Sequence, residues 1–159
     1  MEALSQSETF HRVRDLMVDI PSHCEAAMQE AIEKILTDAK VPFLREHWFN
    51  KRDRIDFYLP QSGTGIECKR KGSCSQVVKQ VARYAKNPSV AGTLLVTSCA
   101  KHRTIERSAE MLPPIQFATS DPATMQGKAS HRYNIDYATP VPTIAGKPFN
   151  VILTSIYAI

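Results

Sequence analysis

The chain has 159 residues, of which 43% are hydrophobic and 23% are charged, which is ordinary for one soluble globular domain with its own core. Its formal net charge of +4 permits a polyanionic partner but does not by itself indicate one. No apolar run reaches the roughly 18–20 residues that a membrane-spanning helix needs, so we expect no membrane association.

Signals for export and for thiolate metal sites are both missing from the sequence. The first residues, MEALSQSETFHRVRD, contain no apolar stretch of the kind found in a secretory leader. Cysteines at positions 24, 68, 74 and 99 form no C-x-x-C pair. We therefore expect an intracellular, cytoplasmic protein with reduced thiols and without a zinc site.

The clearest helix signal spans residues 22–39, SHCEAAMQEAIEKILTDA. Ser22 is a suitable N-cap, and Glu25 three positions later completes a capping-box pattern. Apolar residues recur from Met28 to Ala39 at helical spacing and predict a buried face.

The next sixty residues alternate between strand and helix signals. Two of the strand candidates are joined by PQSGTG, in which every residue suits a turn. An apolar run of strand length follows the second helix and is consistent with a fully buried strand. The predicted elements are strands over 43–49, 54–59, 65–70 and 91–99, and a helix over 73–88.

The last third of the chain is harder to interpret. A third helix is predicted over 103–112 and a closing strand over 148–159. Between them, residues 113–148 hold six of the ten prolines, which predicts an irregular segment with one short strand over 131–137. The order α-β-β-β-α-β-α-β predicts a single α/β domain, residues 1–159, with one mixed sheet flanked by helices.

The hairpin at 54–70 contains the candidate catalytic residues. Alternation along its strands predicts that Asp56, Glu67 and Lys69 share one face. Adjacent buried carboxylates repel each other, and an oxygen-bound Mg²⁺ or Mn²⁺ would remove that cost. Lys69 could then orient a cation-bound water for attack on a phosphodiester. Apolar residues are predicted to share the opposite face: Ile55, Phe57, Leu59, Ile66 and Cys68.

Basic residues surround this hairpin and are suited to neutralising nucleic-acid phosphates. The alternative is an ordinary solvated strand face held together by cross-strand ion pairs. We predict nucleic-acid contacts by Arg54, Arg70, Lys71, Lys79, Arg83 and the nearby Tyr84.

The segments RID (54–56) and IECK (66–69) resemble the PD-(D/E)XK nuclease superfamily. The resemblance implies a restriction-endonuclease-like fold with an α-β-β-β-α-β core over 22–99. It also implies Mg²⁺-dependent hydrolysis of DNA, with Mn²⁺ able to substitute. In that scheme Asp56, Glu67 and the Cys68 carbonyl bind the metal, and Lys69 assists the attacking water.

Two further features of that superfamily have counterparts here. Many members carry a metal-facing Glu on the first helix, and Glu25 is the acid that lies on the apolar side of that helix, although it could instead be only the capping-box acid. Members that resemble the RecB-type nucleases carry Q-x-x-x-Y on the helix after E-x-K. The segment QVARY supplies Gln80 and Tyr84, one helical turn apart, and the alternative is that both are ordinary surface residues.

Several alternatives stay open. A nuclease-like fold could serve only to bind nucleic acid or a protein. Among nucleases, the chain fits a Holliday-junction resolvase, usually a homodimer, as well as a phage or recombination nuclease or a restriction enzyme. Trp48 is expected in the core, with base stacking as the alternative. The five histidines are never paired at ligand spacing, so we expect surface or phosphate-contacting roles for them.

Overall fold

A computed structural model of the chain describes residues 5–108, 110–112 and 141–154, which contain both helices and strands. No helix in this part of the chain is both long enough and apolar enough to cross a membrane. The elements are α1 (Gln6–Leu16), α2 (Glu25–Asp38), β1 (Leu44–Trp48), β2 (Arg54–Leu59), β3 (Thr64–Lys69), α3 (Cys74–Ala85), β4 (Gly92–Thr97), a 3₁₀ helix (Ala100–Thr104), α4 (Ile105–Ser108), β5 (Glu110–Leu112), β6 (Val141–Ile144) and β7 (Lys147–Leu153).

The strands form one mixed sheet in the order β1-β2-β3-β4-β7-β6-β5. Strands β1, β2 and β3 pair antiparallel, whereas β4 pairs parallel with both β3 and β7. Strand β6 pairs antiparallel with β7 and with β5. The predicted α/β class, with one mixed sheet flanked by helices, is therefore confirmed.

Helices cover both faces of this sheet. Successive residues of β4 point to opposite faces, so Leu94 and Val96 pack on one side and Leu95 on the other. The buried residues on the α1–α2 side are Phe10, Val13, Met17, Ile20, Met28, Ile32, Leu36, Phe57, Leu59, Ile66, Cys68, Leu94 and Val96. Those on the α3–α4 side are Val77, Val81, Leu95, Ile105, Ile144 and Phe149.

Helix α1 was not predicted, although its sequence carries a start signal. The Ser5 side chain accepts a hydrogen bond from the Glu8 backbone N–H at 3.2 Å, and the Glu8 carboxylate accepts one from the Ser5 N–H at 2.8 Å. This reciprocal pair is a capping box. Phe10, Val13 and Met17 then bury one face of the helix against the sheet.

Helix α2 begins two residues later than an N-cap at Ser22 would give, so the assignment of Ser22 as N-cap is wrong. Cys24 has extended backbone angles and is the N-cap, and its Sγ accepts a hydrogen bond from the Ala27 N–H at 3.4 Å. Glu25 is consequently the first helical residue and does not complete a capping box with Ser22. The interpretation of Glu25 as a capping-box acid is excluded.

The predicted helix over 103–112 is also wrong in its second half. Helix α4 ends at Ser108, and Glu110–Leu112 is a strand because its backbone pairs with β6. Strand β6 lies in the segment expected to be irregular. It is joined to β7 by Ala145 and Gly146, whose φ values of 52° and 77° fit a two-residue hairpin turn.

Two predicted features of the last third lie outside the described residues. These are the strand over 131–137 and the final residues, 155–159, of the predicted closing strand. The described part of that closing strand agrees with β7.

Candidate active site

The site is built where β2 and β3 separate. Their paired register runs from Leu59 and Thr64 to Phe57 and Ile66. Beyond that point the Asp56 carboxylate accepts a hydrogen bond from the Cys68 backbone N–H at 2.8 Å. A side chain thus binds a backbone donor of the neighbouring strand, and the regular alternation of β2 is interrupted at Asp56.

This interruption changes which side chains share a face. Ile55 packs with Tyr58 and Tyr84 on the α3 side of the sheet, whereas Phe57 packs on the α1–α2 side. The prediction that Ile55 and Phe57 share one face is therefore wrong. Residues 55 and 58, three positions apart, can lie on one face only because the strand departs from a strict two-residue period.

The structure nevertheless brings the predicted polar trio together. Lys69 Nζ lies 3.1 Å from Glu67 Oε1, and this lysine is only partly exposed. The charges of Asp56 and Lys69 act on Glu67 in opposite directions, the first raising and the second lowering its pKa. Two carboxylates and one ammonium thus form a single electrostatic cluster at the open end of the hairpin.

Glu67 is the buried member of this cluster, with 4% of its surface exposed. Burial, and after it the negative charge of Asp56, raise its pKa from 4.5 to about 7 against the opposing effect of Lys69. Gln80 on α3 donates a hydrogen bond from Nε2 to Glu67 Oε1 at 3.1 Å. The carboxylate is therefore held between a helix amide and a strand lysine.

Tyr84 fixes Gln80 in this position, because residues four apart on a helix lie on the same face. The Tyr84 hydroxyl accepts a hydrogen bond from Gln80 Nε2 at 2.8 Å. It lies 2.7 Å from the Arg54 carbonyl oxygen and 3.3 Å from Glu67 Oε2, so its single proton is donated to the nearer acceptor, Arg54. Burial raises the pKa of Tyr84, which stays a neutral phenol.

Tyr84 is only 1% exposed, which corrects the expectation that it contacts nucleic acid. Its ring packs with Ile55 and Tyr58, and its hydroxyl is used inside the protein. The Q-x-x-x-Y pattern therefore places two residues at the carboxylate cluster, Gln80 directly on Glu67 and Tyr84 behind it.

Asp56 is half-buried, and burial is the largest cause that raises its pKa. The Cys68 N–H and the Lys69 charge lower the pKa, whereas the charge of Glu25 raises it. Glu25 lies exposed at the start of α2, near enough to act on Asp56 electrostatically. The predicted Glu25 is thus at the rim of the site. Glu33, further along α2, is paired with Arg45 at 2.6 Å.

The predicted basic residues fall into two groups. Arg70, Lys71 and Lys79 are exposed. Arg83 and Arg54 are also exposed but have acidic partners: Arg83 Nε lies 2.9 Å from Asp53 Oδ1, and Arg54 Nη1 lies 3.9 Å from a Glu46 oxygen.

Trp48 lies at the surface with 56% of its area exposed, so its expected place in the core is wrong. The Arg54 guanidinium lies 5.4 Å from the centre of its ring. Since Trp48 and Arg54 are also paired residues of β1 and β2, they form one surface feature.

His102 was expected at the surface and is instead completely buried. Its Nε2 lies 2.8 Å from the Gly72 carbonyl oxygen, which can only accept, so Nε2 donates. Its Nδ1 lies 2.8 Å from the Thr97 hydroxyl. The ring ties the loop that carries Arg70 and Lys71 to the end of β4. The only sequence signal was its position a few residues after an apolar strand.

The donor set at the hairpin fits a small oxygen-bound cation. Asp56 and Glu67 offer carboxylates and Cys68 a backbone carbonyl, while the Cys68 thiol packs in the core and burial raises its pKa. In the described ranges no three or more His, Cys, Asp or Glu side chains form a ready metal cage. Mg²⁺ commonly uses one or two carboxylates and keeps several waters, so the two carboxylates suffice.

No protein-family model, no curated protein and no solved structure was found to match this chain. Its function is inferred from the geometry and chemistry of the site, because fold alone does not imply function.

Proposed function

We propose that this protein is a Mg²⁺-dependent DNA nuclease with a restriction-endonuclease-like fold. The observation that carries the proposal is the cluster of Asp56, Glu67 and Lys69 at the end of a β-hairpin. Both carboxylates have raised pKa values, and the ammonium lies 3.1 Å from one of them. Two neighbouring carboxylates can bind a divalent cation. That cation and the Lys69 ammonium together can then bind a phosphate.

Asp56, Glu67 and the Cys68 carbonyl would hold the metal, with Glu25 at the rim. A bound Mg²⁺ would supply Lewis-acid activation of water and neutralise charge that develops on the phosphate. Neighbouring groups of the protein fix the positions of these two carboxylates. Gln80 orients the Glu67 carboxylate through its 3.1 Å hydrogen bond, and the Cys68 N–H orients that of Asp56.

Lys69 is suited to act on the reacting groups. Its ammonium is partly exposed and is held by Glu67, so it can donate to an attacking water or to a phosphate oxygen from a fixed position. It cannot accept a proton while charged, and its role is orientation and charge stabilisation.

The exposed Arg70 and Lys71, directly after Lys69, support a polyanionic substrate. They are followed by Gly72, whose φ of 117° is accessible chiefly to glycine and whose carbonyl is held by His102. Two cations are thereby presented from an anchored loop beside the carboxylates.

The direct test is cleavage of linear duplex, single-stranded and branched DNA with Mg²⁺ or Mn²⁺. We expect Asp56→Asn and Lys69→Ala to lower the rate at least about a hundredfold. Lys34→Ala, at an exposed lysine on α2, is the matched control and should leave the rate unchanged. Equal rates for all variants, or no wild-type cleavage with either metal, would refute the proposal. Preferential cleavage of four-way junctions would indicate resolvase-like substrate selectivity.

A second function, nucleic-acid binding without catalysis, is favoured by two observations. Lys69 already neutralises Glu67, and no group of three ligating side chains occurs in the part of the chain that the structure describes. Calorimetric titration with Mn²⁺ separates the two functions. Tight DNA binding without any Mn²⁺ binding would favour the pure binder.

A further inference from the structure

We propose that Trp48 and Arg54 form a stacking platform for an unpaired nucleobase, so that the substrate of this site contains a single-stranded segment. This inference deepens the proposed function and rests on it for the identity of the ligand as DNA. It depends on a surface feature that the hydrolytic chemistry does not use.

The first observation is the exposure of the indole. Large exposed apolar side chains are few among the described residues: Val18, Leu44 and Trp48. Tryptophan is usually well buried, and an exposed one on an outer strand contributes little to the core. Aromatic side chains of this kind are the groups on which single-stranded nucleic acids stack their bases.

The second observation is the guanidinium beside the indole. Arg54 lies 5.4 Å from the ring centre and contacts Glu46 at 3.9 Å, so it is held at the platform from two sides. A planar cation at the ring can bind a phosphate while the indole stacks on the base. Together the two groups would contact both the base and the phosphate of one nucleotide.

The third observation is the short separation along β2 between the platform and the carboxylate cluster. Arg54 pairs with Trp48 across the strands, and its carbonyl accepts the Tyr84 hydroxyl of the site network. Asp56 is two residues further along β2, which corresponds to about 7 Å of strand length. That is the length of about two stacked nucleotides. A base on the platform would therefore place a neighbouring phosphate at the cluster.

The turn beside Trp48 is rich in cations, and Glu46 on β1 is the exposed acid that contacts Arg54. Lys51 and Arg52, in the turn after β1, are exposed together with Arg54. Asp53 in the same turn is 8% exposed and paired with Arg83, so its charge is withdrawn from the surface. The turn consequently presents cations to solvent.

The same edge of the sheet could in principle pair with another protein chain, because β1 is an outer strand. Glu46 in the middle of β1 has a φ of 48°, which interrupts the extended backbone that strand addition requires. The other exposed apolar residue, Leu44, lies at the opposite end of the strand. These features favour a nucleic acid over a second copy.

The experiment uses the fact that Trp48 is the only tryptophan in the chain. In EDTA, which prevents cleavage, the full chain is titrated with a thymidine dodecamer, a 12-base-pair blunt duplex and heparin. We expect the dodecamer to quench the tryptophan emission and heparin to leave it nearly unchanged. Heparin has charge but no base to stack, so it controls for simple attraction of a polyanion.

Variants are then compared by anisotropy of the labelled oligonucleotides. Trp48→Ala should weaken dodecamer binding about 5- to 150-fold, the range for loss of one stacked base, and should change duplex binding about twofold or less. Trp48→Phe should retain most of the affinity, since it keeps an aromatic face. Leu44→Ala, another exposed apolar residue of the same strand, should have no effect.

The platform would be contradicted if Trp48→Ala lost equal affinity for the dodecamer and the duplex, or if it lost no affinity for the dodecamer. Concentration-dependent dimerisation that Trp48→Ala abolishes, measured by sedimentation, would assign the patch to a second copy and would overturn it too. Tryptophan-dependent binding without cleavage would refute only the nuclease proposal. Cleavage with tryptophan-independent binding would refute only the platform.

Discussion

Replacement of Glu67 by glutamine should make the metal-free protein more stable at neutral and alkaline pH. Burial and the nearby Asp56 charge raise the pKa of Glu67 from 4.5 to about 7 in the folded state. A carboxyl whose pKa is higher in the folded than in the unfolded state favours folding most when the carboxyl is protonated in both states. That contribution is complete below pH 4.5 and is lost as the pH rises through about 7.

The size of the effect follows from the two pKa values. Between pH 4.5 and about pH 7 the free energy of unfolding falls by about 1.4 kcal/mol per pH unit, which gives about 3 kcal/mol in total. The pKa of the half-buried Asp56 is raised as well, so it acts in the same direction. For a chain of this size, about 3 kcal/mol corresponds to roughly 6–12 °C in melting temperature.

The assay is thermal unfolding followed by far-ultraviolet circular dichroism from pH 4.5 to pH 8.5 in EDTA. The melting temperature of wild type should fall across this window, whereas that of Glu67→Gln should fall much less. Glu30→Gln, a matched change at an exposed residue of α2, should follow wild type. Under the proposed function, Mg²⁺ should restore wild type above pH 7 and leave Glu67→Gln unchanged. Parallel curves for wild type and Glu67→Gln would refute the reasoning.

Two further predictions concern buried hydrogen bonds. Tyr84→Phe should lower the free energy of unfolding in urea by about 1–3 kcal/mol, because a buried carbonyl and an amide lose their partner; a loss below about 0.5 kcal/mol would show that the hydroxyl is not part of the network. His102→Ala should cost about 3 kcal/mol, since it opens a cavity, leaves the Gly72 carbonyl without its side-chain donor and leaves the Thr97 hydroxyl with only the Cys99 N–H as partner. Lys101→Ala, at its exposed neighbour, should change stability by about 0.5 kcal/mol or less, and an equal loss there would contradict this reasoning.

The parts of the fold predicted well are those whose signals are local. The turn sequence PQSGTG and the apolar run of β4 indicated their strands correctly. Helix α3 lies within the helix predicted over 73–88, and Ser73 and Gln76 form a capping box at its start. The proximity of Asp56, Glu67 and Lys69 could also be predicted from local sequence, because one hairpin carries all three residues.

The errors come from contacts between distant parts of the chain. Glu110–Leu112 suits a helix by its own propensity, yet it is a strand because β6, thirty residues away, pairs with it. Ile55 changes face because Asp56 binds the Cys68 N–H instead of following the regular strand pattern. Trp48 was expected in the core because of its type, but it lies on an outer strand. None of these partners can be identified from the local sequence.

The position of β4 in the sheet has a consequence for synthesis of the chain. Every residue of Gly92–Thr97 is buried, with β3 as one neighbour and β7 as the other. Fifty positions separate Thr97 from Lys147, where β7 begins. At about 5–20 residues per second, a ribosome needs about 3–10 s to make that stretch. For those seconds an apolar strand has one unpaired edge, so nascent or truncated chains that stop before β7 should associate through β4.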